Sequence, residues 1–358
     1  MIAPEVPVLI RIDQLERLYR SDVLRPELGQ QYRRVINKAL GSRDQRVSYR
    51  IGTRRYAWED DLRIFGTADE LEHLRDFRII DIDDMLRRKE DTKTWIFPEF
   101  AADAFAKRIR YSGMGDSKGQ GDLIRKVFGD TVSPEDAARK YACNSTFDRI
   151  LKISDWPQVW KTYLESLFAI SPLQAMLAAA WARQKGNESL ANQRLLSPPP
   201  ESKPWNAVYW RKERVRLCLM QIAARSVQRM TWAGKDHIIA LSAGNISIFL
   251  SICHEIWEAF LRSERRKHLS DRQDPLSDDS PIAPEIQAVG IHTASADWYE
   301  KVAEQPNGHD RQRFLIEIAR YFRTNMLADD AMSYPGENGF SLLCHRSLQI
   351  RPPVVTSK

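Results

Sequence analysis

The chain has 358 residues, 43% hydrophobic and 28% charged, with a formal net charge of +6 from 54 basic and 48 acidic side chains. That length suffices for two or three domains with their own cores, and no apolar run approaches the roughly 18 residues of a membrane span. Four scattered cysteines (Cys143, Cys218, Cys253, Cys344) with no CxxC pair suit a reducing cytoplasm and argue against a zinc site or a disulfide framework.

Residues 6–12 (VPVLIRI) form a nearly continuous apolar run closed by Asp13, which predicts a buried parallel strand. Glu5 and Arg11 interrupt the apolar stretch, against a secretory signal. Residues 28–40 carry helical spacing and end at Gly41, a C-cap signal. Residues 46–51 (RVSYRI) predict a second strand that runs into Gly52, Thr53, Arg54 and Arg55. A short helix is expected over 68–75 and a third strand over 77–82 (FRIIDI). Three strands joined by helical crossovers imply parallel, right-handed connections.

Helical spacing then dominates, over 99–111, 121–128, 134–142, 156–168 and 172–184. The run 197–204 (SPPPESKP) breaks the chain, because consecutive prolines cannot continue a helix. Further helices are expected over 207–230 and 245–264, the latter with one apolar stripe. A polar linker covers 269–284, and helices follow near 285–304 and 310–327. The ten tryptophans mostly sit at helical spacing among apolar residues, as core side chains do.

The residues best suited to chemistry stand at strand ends. A short apolar strand closed by an aspartate sets a carboxylate at the C-terminal edge of a parallel sheet, where nucleotide and its magnesium are found in open α/β folds. Asp13 suits that role, and equally suits the cap of a following helix. Thr53 ends the next strand. Arg54 or Arg55 could face a phosphate, since a guanidinium pairs with phosphate oxygens in two places, or could be solvated loop cations. In 241–250 (LSAGNISIFL), Asn245 stands near a helix N-cap, and the ordinary reading is a capped helix packing into a core. Asp81, Asp83 and Asp84 read as solvated acids. Neither His237 nor His254 has a metal-spaced partner, and no GxSxG elbow occurs.

The segments VLIRIDQLERL, SYRIGTRRYAW, FRIIDID and LSAGNISIFL, in that order, resemble bacterial relatives of origin-recognition-type AAA+ ATPases and, more loosely, STAND P-loop NTPases. The resemblance implies an α/β nucleotide-binding core, a helical lid and often a winged helix behind it. It implies Asp13 as the Walker B magnesium ligand, Glu16 as the nearest acid for orienting water, and Thr53 as the sensor. Arg54 and Arg55 would be phosphate or subunit contacts, and Asn245 would belong to the lid helix that touches nucleotide. Three departures accompany it. No GxxxxGK[ST] occurs, so the phosphate cradle is missing, Gln14 follows Asp13 where the water-orienting glutamate is usual, and Ser247 stands where the lid's sensor arginine is usual.

The expected fold is therefore α/β followed by mostly α: a partial P-loop NTPase parallel sheet, a helical lid and a helical C-terminal region. The expected boundaries are 1–112 for the partial ATPase core, 113–196 for a helical insertion or the start of the lid, 205–268 for a lid-like domain and 284–342 for a helical end region. The function expected is a partial or degenerate ATPase acting as a regulatory or assembly module, with a nucleotide-independent DNA-binding adaptor as the alternative. ATP and magnesium belong to the intact family, and neither is expected to bind this chain tightly. Because the phosphate-loop strand normally precedes the Walker B strand, the chain reads as starting inside a longer ATPase. An unpaired edge on residues 6–12 would then favour self-association or other ATPase subunits as partners. DNA is a further expected partner, a membrane is not, and the location is cytoplasmic.

Overall fold

Two parallel strands open the structure, and the elements described after the second strand are helices. The computed structural model describes residues 7–15, 26–42, 44–53, 61–87, 95–113, 122–143, 145–187, 201–268, 271–276, 280–305 and 307–333. The chain divides into two compact units, Met1–Met85 and Leu86–Lys358.

In the first unit, β1 (Val8–Ile12) leads through α1 (Pro26–Gly41) to β2 (Val47–Ile51). The strands pair in parallel, with Val8 opposite Val47 and Ile12 opposite Ile51. The turn into β2 is set by Asp44, whose carboxylate takes two hydrogen bonds from the Arg46 guanidinium. Helix α1 holds the segment beyond β2: Asn37 Nδ2 donates to the carbonyls of Asp61 and Arg63. The Arg63 guanidinium hydrogen-bonded to Asp61 holds that carboxyl down at about 2. Leu71 is buried in this segment, and α1 approaches it closely at Gly41.

Three expectations are corrected here. Residues 68–75 are not helical, because the chain reverses at Gly66 (φ +80°) through bonds from Ile64 N to the Asp69 carbonyl and from Leu71 N to the Leu62 carbonyl. A second reversal at Leu74 (φ +70°), closed by its N–H on the Phe77 carbonyl, prevents a helix from continuing. Residues 77–81 form no third strand: only an isolated bridge joins His73 to Phe77, and Ile79 and Ile80 are exposed. Among the described residues the sheet has two strands. Finally, β1 is not buried, since Leu9 and Ile10 are exposed.

A short helix, α2 (Ile82–Leu86), precedes the second unit. There α3 (Phe97–Tyr111), α4 (Leu123–Phe128), α5 (Pro134–Ala142), α6 (Phe147–Leu151), α7 (Gln158–Ile170) and α8 (Pro172–Asn187) follow one another. After a 3-10 turn at Pro204–Asn206 come α9 (Val208–Arg225), α10 (Lys235–Leu241), α11 (Ile246–Glu264), α12 (Pro284–Ala303) and α13 (Gly308–Ala328). Local chemistry sets several starts: Asp122 and Ser133 accept from backbone N–H groups of their first turns, and α5 and α12 begin on proline, whose fixed φ suits the first helical position.

Two apolar cores form. The first surrounds α8, in which Leu173, Met176 and Leu177 and the alanines 175 and 178–180 are fully enclosed, as expected of a helix apolar on all sides. Its aromatic side runs Trp156, Trp160, Tyr163, Trp205 and Trp181, with successive ring centroids 5.9 to 6.3 Å apart. The tryptophans there pack the core, as their spacing suggested. The second core joins α3, α4, α10, α11 and α12 through Phe97, Phe128, Phe249 and Ile256.

The end of α13 is clasped to the first core. Met332 is fully buried, Gln184 Nε2 donates to the carbonyls of Ala331 and Met332, and Arg214 Nε donates to Met332. Asp330 pairs with Lys152 and Arg225. Burial lowers the neighbouring Arg183 guanidinium to about 10. Among the described residues, no helix is long and apolar enough to cross a membrane.

Candidate functional site

Parallel pairing brings the ends of β1 and β2 to one edge. Gly52 N donates to the Ile12 carbonyl at 2.8 Å, and Leu15 N donates back to Gly52 at 3.1 Å. Beyond Ile12 the chain turns through Gln14 (φ +58°), and the Gln14 N–H donates to Asp13 Oδ1 at 2.8 Å. The Asp13 carboxylate lies against Gly52, where a Cβ would stand 3.1 Å from Oδ1. One residue on, Thr53 Oγ1 is shielded from solvent and has no hydrogen-bond partner. Such an orphaned buried hydroxyl costs free energy unless a ligand, ion or water meets it.

The edge therefore offers one exposed carboxylate and one unpartnered hydroxyl. A magnesium ion usually keeps several waters and takes one or two protein carboxylates together with substrate phosphates, so this oxygen set fits a magnesium partner. It does not fit a phosphate cradle. The described residues at the edge (Asp13, Gln14, Leu15, Gly52, Thr53) include no cation. Among the described residues there is no cluster of three metal-ligating side chains. Glu16, Arg54 and Arg55 lie outside the described residues.

Asn245 belongs to the second unit. Its Oδ1 accepts from Ser247 N at 2.9 Å and Ile248 N at 3.2 Å and so caps α11. The preceding Gly244 (φ +81°) is required by crowding, since a Cβ there would stand 2.6 Å from the Leu86 carbonyl oxygen. The Gly-Asn pair thus has a complete structural explanation in turning the chain and starting a helix. Asp81 sits just before α2 and accepts from Asp84 N. The basic stretch 262–268 closes α11, where Lys267 pairs with Glu264. Arg262, Arg265 and Arg266 are exposed there.

A family model described as ORC-CDC6-like matches residues 28–349. The chain belongs to the ORC-CDC6-like family. This makes it an AAA+-related module, in line with the resemblance carried by its motifs. The matched span takes in β2 and Thr53 and every helix from α2 to α13, and it begins after β1 and Asp13. No curated protein and no solved structure matches the chain.

Nothing in the local pattern marks Gly52 as a packing element beside Asp13. A lone glycine after a strand reads as a turn, and only the strand register shows that it faces a carboxylate.

Proposed function

We propose that this ORC-CDC6-like chain is a degenerate AAA+-type module that serves regulation or assembly rather than hydrolysis on its own. The observation that carries the reading is the in-register pairing of β1 with β2, which sets Asp13 and the unpartnered Thr53 hydroxyl at one edge. In this reading Asp13 is the magnesium partner, directly or through water, and Thr53 is the polar group that senses the nucleotide. Magnesium, when bound, supplies positive charge that neutralises nucleotide phosphates. Glu16, Arg54 and Arg55 would add an acid and two phosphate or subunit contacts. Without a lysine-bearing phosphate loop the remaining contacts are few, so ATP binds weakly and turns over at background.

The partner in this reading is another ATPase subunit or a second copy of the chain, and the exposed Leu9 and Ile10 of β1 support it. Contact with DNA phosphates through Arg262, Arg265 and Arg266 is the second reading, favoured by the exposure of all three at and just beyond the end of α11. Calorimetric titration with magnesium-ATP tests the first. The expected affinity is weaker than about 0.1 mM, or less than ~5.5 kcal/mol of binding free energy, with no hydrolysis above background. Micromolar binding with turnover would overturn the degenerate reading.

A further inference from the structure

Helix α13 is held far more firmly just past its end than along its length. Within the helix Gly308 alone is buried, and Phe314, Leu315, Ile316 and Tyr321 are exposed. Four residues past its end, Met332 is fully enclosed, with its sulfur 3.6 Å from that of Cys218. Residues 329–332 form a turn there, closed by Met332 N on the Asp329 carbonyl.

The groove between α8 and α9 grips this turn by its backbone. Gln221 Nε2 donates to the Asp329 carbonyl at 2.9 Å, and Arg183 Nη1 to that of Asp330 at 3.4 Å. Gln184 Nε2 donates to Ala331 at 2.8 Å and to Met332 at 2.9 Å, and Arg214 Nε adds a bond to Met332 at 3.0 Å. Four successive carbonyls are thus met by side chains of one surface. Any peptide carries such carbonyls, so bonds to them give affinity, and pockets for side chains give choice. Two contacts make the choice here. Lys152 Nζ and Arg225 Nη2 donate to the Asp330 carboxylate, and the core encloses the Met332 side chain.

Met332 also holds φ +50°, a conformation that residues with a side chain seldom adopt and that persists only where the surroundings enforce it. The groove therefore imposes the shape of the turn. The arm that carries the turn is lightly packed, and segments with little buried surface open at low cost relative to a core. At the start of that arm Asn307 (φ +57°) already bends the chain. A second copy's turn would make the same contacts in the same groove. Exchange of the arm then leaves the groove contacts unchanged and costs only the association of two chains.

We propose that the α8–α9 groove is a docking site for an Asp-Ala-Met turn and takes that turn from a second copy of the chain, with α13 as the exchanged arm. Neither the family membership nor the Asp13 edge implies this interface, and it uses no residue of β1. Two differently tagged samples of the full chain, mixed and incubated at high concentration, test it by co-purification. The tagged chains should co-purify. A free peptide of residues 325–333 should lower the co-purified fraction about 5-fold at millimolar concentration, the order of the effective concentration of a tethered segment. The same peptide carrying Asp330→Asn or Met332→Ala should compete about 10-fold more weakly, as expected for losing a charge-assisted hydrogen bond or a buried side chain. A second arm reverses charges: a chain with Arg225→Glu, mixed with one carrying Asp330→Arg, should pair about 10-fold more than either does with itself, because only exchange sets opposite charges together in both grooves. Circular dichroism confirms that each variant is folded. Tagged chains that stay separate, a complex indifferent to the peptide, equal competition by the altered peptides, or no preference for the mixed pair would overturn the assignment. The peptide arm uses the unaltered chain, so it decides even where a variant fails to fold.

Discussion

The close crossing of α11 and α12 yields a prediction in which two opposed effects can be weighed. At Gly290 an added Cβ would stand 2.4 Å from Ile256 Cα, 2.5 Å from Ile256 N and 2.7 Å from the Glu255 carbonyl carbon. Gly290→Ala in an isolated helix should stabilise by about 1 kcal/mol, because alanine loses less backbone entropy. Here the obstructing atoms belong to another helix's backbone, so no side chain can rotate away. Carbon atoms prefer about 3.5–4.0 Å, so α12 would have to withdraw by ~1 Å. Withdrawal loosens contacts around Ile256, Ile291 and Ala294, all buried. Overpacking of this kind costs about 1–3 kcal/mol, and backbone obstruction places the cost at the upper end. The net expectation is a loss of about 1–2 kcal/mol. Urea unfolding followed by circular dichroism at constant m-value measures it, with Val289→Ala, exposed on the same helix, as a control within about 0.5 kcal/mol. A raised midpoint for Gly290→Ala would refute the packing argument.

Three further expectations concern single side chains. Asn245→Ala removes the α11 cap and should cost about 1 kcal/mol while leaving magnesium-ATP titrations unchanged; an altered titration with unchanged stability would make Asn245 a nucleotide contact. Burial holds His237 below the ordinary histidine value, so on acidification the unfolded chain takes up its proton first. Stability should therefore fall as pH drops from about 7 through 6, and His237→Gln should flatten that slope; equal slopes would remove His237 from the account. Ile10→Lys places a charge on the exposed β1 strand and should raise the monomer fraction in light scattering, whereas a parent chain already monodisperse at high concentration would end the self-association reading.

Elements governed by local pattern were legible in the sequence. The 134–142 helix has its predicted bounds because Ser133, Pro134 and a period of 3.6 agree. The two strands were readable because a short apolar run, then an acid or a glycine, marks both ends. The failures share a cause, since burial is a tertiary property. Residues 77–80 read the same whether or not a sheet covers them, and here Ile79 and Ile80 are exposed. The predicted 207–230 helix stops at Arg225 because Val227 turns left-handed, and Ser-Val-Gln carries no glycine to announce it. The Asp13 and Thr53 pair was legible because each closes a strand. The groove was not, since Gln184, Gln221 and Met332 lie on separate elements far apart in sequence and only packing unites them.

The central claim is that Asp13 and Thr53 form the metal side of a weakened nucleotide edge. Fe²⁺ substitutes for magnesium; with hydrogen peroxide as oxidant and ascorbate to regenerate Fe²⁺ it cuts the backbone beside its ligands, so cleavage at millimolar Fe²⁺-ATP maps the site even where binding is weak. The account predicts cuts next to Asp13 and near Thr53 that require ATP and disappear in Asp13→Asn. Cleavage confined elsewhere, or cuts that persist unchanged in Asp13→Asn, would contradict it.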